Sequence, residues 1–244
     1  MKSFSAQLRL HQKMVFDNGN LWGPLLFWIV ALLVNYAVQP QDFVGSLATL
    51  LMTLFILLTW LTYSYINQFP LQMEKLLILK LKKQRRFYLS LISYLILLGL
   101  FFVLIGMGSL AITYVLNGHH AFGRGLSWWD WLGGTLMLTS ILPVSVMTGL
   151  FWQRRILVNR RMAGTLTILM VVLGSLGEAI VNYWHPYLYI LGILPPVSTM
   201  AQLFNTLGHI SLVDILLSWA MSLGYSLVLL LIDQLILRRR KFLF

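Results

Sequence analysis

Residues 88–116 read YLSLISYLILLGLFFVLIGMGSLAITYVL, an uncharged run standing directly behind Lys82-Lys83-Gln84-Arg85-Arg86. At ~1.5 Å per helical residue, the run outreaches the ~30 Å of hydrocarbon in a bilayer. Peptide groups in lipid have only one another to bond, so the run must be helical. Outward from it, residues 21–38, 43–66 and 131–152 are equally free of charge, and residues 162–184 and 212–237 carry only Glu178, Asp214 and Asp233. Six crossings follow, in an all-α integral membrane protein. Composition agrees, with 59% hydrophobic residues, 10% charged and a mean hydropathy of +0.80. Soluble domains carry roughly 25% charged residues, so a water-soluble globule is excluded. Cys is absent, which removes disulfides, thiol nucleophiles and thiolate metal sites. Residues 1–20 lack the short apolar core and small-residue site of a cleavable signal.

The net charge of +11 would suggest nucleic acid in a soluble protein. Here seventeen of the eighteen Lys and Arg residues fall at the N-terminus, after the second and fourth spans, or in the tail, leaving only Arg124 on the other side. Such an asymmetry holds loops in the cytoplasm, so both termini are expected there and no nucleic acid partner is needed. Residues 186–210 are apolar enough to pass for a seventh span. An extra crossing would carry Arg238, Arg239, Arg240 and Lys241 outside, however, and Pro186, Pro195 and Pro196 interrupt the stretch. It is expected to dip into the outer leaflet as two short helical pieces and return, after which Ser211 and Asp214 form a capping box for the last span. There is no internal repeat and no polar linker. Residues 1–20 form an interfacial helix, and residues 21–244 form one six-span domain.

Two cytoplasmic segments have a design of their own. In residues 3–16, Phe4, Leu8 and Val15 lie near one face and Lys2, Arg9 and Lys13 around the other, the pattern of a helix lying in the membrane surface. The loop 70–87 holds Glu74-Lys75-Leu76-Leu77-Ile78-Leu79-Lys80-Leu81, a short helix with an apolar side, ahead of the basic cluster. Anionic headgroups would attract such a loop. Its apolar side offers more surface than headgroups require, which points to a docking site.

The order of these parts resembles the membrane subunit of ABC transporters, specifically the ABC-2 type exporter permease family. The resemblance runs over essentially the whole chain. Its markers are Glu74 to Tyr88 before the third span, Leu194-Pro195-Pro196 before the last helix, and the ending Leu235-Ile236-Leu237-Arg238-Arg239-Arg240. It implies that Glu74 to Leu81 is the coupling helix seated in a cleft of an ATPase subunit, although the Gly-Thr pair often found in that helix is absent. It also implies a dimer of ATPase subunits and a second permease, identical or related. The chain has no GxxxxGK[ST] loop, so ATP and Mg belong to the partner, and no cofactor, metal or catalytic residue is expected here. The resemblance further implies a bacterial cell membrane and an amphiphilic substrate: an antimicrobial peptide, a bacteriocin or lantibiotic, or a hydrophobic drug.

Polar residues at membrane depth are candidates for the path. Thr167, Gly174, Glu178 and Asn182 share one face of the fifth span, and Thr59, Tyr63 and Asn67 share one face of the second. Ordinary interhelical bonding accounts for either stripe, but in the resembled family these two spans flank the pathway. Three other readings stand beside this one. A lipid-linked polysaccharide exporter would share the architecture. A secondary transporter would pass protons through Glu178, though the repeat-built midplane site of such proteins is not apparent. An intramembrane protease would need a buried His to partner Ser175 in Gly174-Ser175-Leu176-Gly177, and none is in reach. His119, His120, His185 and His209 fall on the outer side without the spacing of a metal site.

Overall fold

The computed structural model describes residues 2–17, 19, 21–37, 40–69, 84–118, 121–122, 125–152, 159–177, 194–205 and 210–239. Among them the chain is all-helical. The elements are α1 (Lys2–Asp17), α2 (Trp22–Asn35), α3 (Phe43–Gln68), α4 (Gln84–Asn117), α5 (Trp128–Phe151), α6 (Arg160–Ser175), α7 (Val197–Asn205) and α8 (Leu212–Arg239). The helices α3, α4, α5 and α8 are each long and apolar enough to cross a membrane. The chain is therefore a multi-pass membrane protein. The first predicted crossing is less simple, because α2 has 14 residues and reaches only ~21 Å. It makes a span only when taken together with α1, from which it bends by 77°. The fifth predicted crossing is described as α6 up to Ser175, and its continuation from residue 178 to 184 lies outside the described residues.

The centre of the bundle is α3, whose Leu47, Leu51, Leu54, Phe55, Leu58 and Leu61 are all buried. Its largest partner is α5, and glycines on α5 set how close the two come. A Cβ at Gly134 would stand 2.8 Å from a Leu47 methyl, and one at Gly149 would stand 2.7 Å from the Thr62 Cβ and 2.8 Å from the Thr59 carbonyl oxygen. Small residues that admit a neighbouring backbone in this way are the usual means of helix association in lipid, where no hydrophobic force separates helix from solvent. The two contacts advance together along both helices, so α3 and α5 run parallel. Gly133 against Ile215 and Ser140 against Ser218 put α8 in the same direction. Gly23 against Trp60 with Asn35 against Thr49 makes α2 antiparallel to α3. Tyr94 against Tyr65 with Gly99 against Leu58 does the same for α4.

The ends of the bundle follow from these directions. The starts of α3, α5 and α8 lie together at one end, and each is closed by its own acid. Asp42 accepts from Gly45 N at 2.8 Å. Ser127 and Asp130 cap α5 reciprocally, and Ser211 and Asp214 do the same for α8, as expected from the sequence. Each such cap supplies acceptors to amides that have no partner within the helix. Near the opposite end lie Arg9 and Lys13 of α1 and Arg161 of α6, all exposed.

Between the long helices sits α7. Pro196 opens it, accepting from Met200 N at 3.0 Å, since proline fits the first turn of a helix and lacks only an amide that would be unpaired there. Val197, Met200, Ala201 and Phe204 are buried against α3 and its neighbours. Pro195 packs on Gly174 of α6, where a Cβ would lie 3.2 Å from the proline ring. Within the predicted re-entrant stretch 186–210, this inserted helix is the largest described part.

Candidate functional site

The two polar stripes can be located as far as Gly177. Thr59 is fully buried and donates to the Ser145 carbonyl of α5 at 3.3 Å, so it faces its helix neighbour. Thr62 is also buried against α5, and its hydroxyl has no hydrogen-bond partner among the described residues. Tyr63, half-buried, turns to α6, where its hydroxyl lies 3.1 Å from the Cβ position of Gly164. Thr167 is on the next turn of α6, buried, with its hydroxyl donated to the Ala163 carbonyl at 2.8 Å. Asn67 donates to the Tyr63 carbonyl at 2.9 Å, and its buried Oδ1 has no partner among the described residues. Tyr63 and the first turns of α6 are thus brought together. Gly174 is not among them, because it meets Pro195 farther along α6. Glu178 and Asn182 lie outside the described residues, as do Glu74 to Leu81 and His119, His120, His185 and His209.

A second constellation carried no signal that pattern reading would catch. The surface-helix pattern placed Phe4, Leu8 and Val15 on the membrane face of α1. In the structure the face turned to the bundle is Gln7, His11 and Val15, all buried, while Phe4 is 42% and Phe16 55% exposed. The sequence face was drawn on hydrophobicity alone, and two of the three buried positions are polar. His11, 1% exposed, sits among Tyr65 and Phe69 at the end of α3 and Phe87 and Tyr94 at the start of α4. Its ring stacks on Tyr94 at 5.8 Å and meets Tyr65 edge-on at 6.0 Å.

Hydrogen bonding assigns the tautomer. Ser90 donates its hydroxyl proton to the Phe87 carbonyl at 2.7 Å, so towards His11 Nε2, 3.3 Å away, it is an acceptor. Nε2 therefore carries the proton, and Nδ1 accepts from the Tyr65 hydroxyl at 2.7 Å. In this neutral form both ring nitrogens are satisfied. Burial pushes the pKa of His11 down from 6.5 to about 4. The cage joins α1 to the two residues, Phe69 and Phe87, that bracket the undescribed stretch 70–83.

Among the described residues no three His, Cys, Asp or Glu side chains come together as metal ligands. No protein-family model matches the chain, and neither a curated protein nor a solved structure does.

Proposed function

We propose that the chain is the membrane subunit of an ATP-driven exporter of the ABC-2 type, with six crossings and both termini in the cytoplasm of a bacterial cell. In this reading two such permeases, identical or related, enclose a path for an amphiphilic substrate, and a dimer of ATPase subunits grips the helix Glu74 to Leu81. Closure of the ATPases on ATP draws the coupling helices together and turns the path from inner to outer access. The substrate class, an amphipathic peptide or hydrophobic drug, belongs to the proposal.

The observation that carries the reading is α7: a short helix, opened by proline and buried against a central helix, inside a bundle where α3, α5 and α8 run one way and α2 and α4 the other. This is what a re-entrant segment before the last span requires. Two further features support it. Acidic caps gather at one end while Arg9, Lys13 and Arg161 lie near the other, in keeping with a basic inner face. Tyr63 of the second span meets the first turns of the fifth, the two helices assigned to the path.

The test is capture of a P-loop ATPase encoded beside this chain. Co-expressed and solubilised together, the two are expected to purify as a complex. The double substitution Leu77→Asp, Leu79→Asp is expected to cut recovery of the ATPase by at least about tenfold, since two buried charges abolish an apolar contact. The variant should still insert in the membrane. Undiminished recovery with the double variant would overturn the docking assignment.

A further inference from the structure

The cage around His11 ties α1 to the joined ends of α3 and α4, and it buries a neutral ring among four aromatic side chains. We propose that His11 is a proton-operated latch, holding α1 against the joined ends of α3 and α4 while neutral and releasing it when protonated. The inference stands on the cage geometry and does not depend on the transport reading.

The groups facing the imidazole can be taken element by element. From α3 come Tyr65, whose hydroxyl bonds Nδ1, and the ring of Phe69. From α4 come Phe87, Tyr94 and the hydroxyl of Ser90 on Nε2. On α1 itself, Gln7 and Val15 flank the ring one turn to either side, both buried, with Gln7 Oε1 lacking a partner among the described residues. No carboxylate faces the ring among the described residues. The nearby charges on α1 are Arg9 and Lys13, both exposed, with Asp17 at its far end, and the sequence sets Arg85 and Arg86 in the first turn of α4. Among the described residues the cage offers an imidazolium no counter-ion. Adding a proton at Nδ1 also forces the Tyr65 hydroxyl to give up its donor role. The protonated ring is satisfied far better in water than in the cage.

The sign of the pH dependence follows. The latched ring holds its proton less tightly than a free one, at about 4 against 6.5. The latch is at full strength above the ordinary value, and its closing equilibrium weakens about tenfold per pH unit as pH falls from there towards the latched value. What opens is the contact of α1 with Phe69 and Phe87, the residues on either side of stretch 70–83. If that stretch docks a partner, the same proton alters the footing of the docking helix.

Hydrogen exchange on the full-length protein in lipid nanodiscs tests this, with rates corrected for intrinsic chemistry. Between about pH 7 and about pH 5, α1 amides of the wild-type protein are expected to lose at least about tenfold in protection, while α3 and α5 keep theirs. His11→Phe keeps a ring in the cage that cannot be protonated, so its α1 should show no such transition. Tyr65→Phe removes the donor that favours the neutral ring, so the midpoint should move to higher pH. A role in packing alone would lower α1 protection equally at all pH without moving the midpoint. Flat wild-type protection, an equal transition in His11→Phe, or an unmoved midpoint in Tyr65→Phe would each overturn the latch.

Discussion

The two ends of the bundle are held by different means. At one, the helix starts of α3, α5 and α8 are each closed by a side chain three residues from the amide or hydroxyl it serves. At the other, His11 bonds residues 54 and 79 positions away, and Gly149 lets α5 touch a carbonyl of α3. The caps of the first end are local and would hold in any packing of the helices, although Trp129 also donates across that end to the Ile210 carbonyl at 2.9 Å. The second exists only once three or more elements have met. Damage should accordingly be confined at the capped end and spread widely from the other.

The sharpest way to break the contrast is at Gly149. Thr59 O and Thr62 Cβ both lie within 3 Å of where a Cβ would stand, and backbone cannot rotate away as a side chain tip can. Gly149→Val should separate α3 from α5 at a cost of about 3 kcal/mol, the upper range for overpacking, and should loosen α1 and α4 with them. Thermal unfolding in detergent, read together with hydrogen exchange across helices, measures both. A shift no larger than that of a cap variant would erase the distinction between the ends.

Ser127→Ala is the counterpart at the capped end. It removes the hydroxyl that accepts from Asp130 N and leaves α5 otherwise intact. The expected loss is about 1 kcal/mol, with extra hydrogen exchange limited to the first turn of α5. Exchange spreading to α3 or α8 would show that the cap also supports tertiary bonds such as that of Trp129 to Ile210.

The same division explains what could be read beforehand. The pair Ser211 and Asp214 lies within four residues and announces its cap, and the long uncharged runs announce α3, α4, α5 and α8. Ser127 and Asp130 have the same spacing, but the uncharged run begins only at Trp131, so their cap is hidden ahead of it. Pro195-Pro196 was legible as an interruption, though not as the opening of a buried helix, since that depends on α3 being there to cover Val197 and Phe204. His11 was beyond reach: a single His on a basic amphipathic helix looks like part of its wet face until Tyr65 and Ser90 are brought to it. Of the polar stripe on α3, Tyr63 meets α6 whereas Thr59 turns towards α5, and a stripe on one helix says nothing of which neighbour it meets.

Ser140 and Ser218 give the smallest and finest test, because they lie between the two regimes: a local bond and a distant one share an atom. Ser140 Oγ donates to the Met137 carbonyl at 2.6 Å and also lies 2.6 Å from Ser218 Oγ. With the Ser140 proton already committed, Ser218 is the donor across the helix interface. Removing Ser218 leaves Ser140 bonded within its own helix, so Ser218→Ala should be nearly silent. Ser140→Ala takes away the acceptor of a buried hydroxyl, which then falls back on a carbonyl of its own turn. A double-mutant cycle should return a coupling of about 0.6 kcal/mol, the usual worth of one interhelical bond in a membrane protein, since the separated helices also find partners for their hydroxyls. A coupling near zero would make α8 dependent on Gly133 and Ile215 packing alone. One above about 2 kcal/mol would place the seam with the cooperative end of the molecule, beside Gly149.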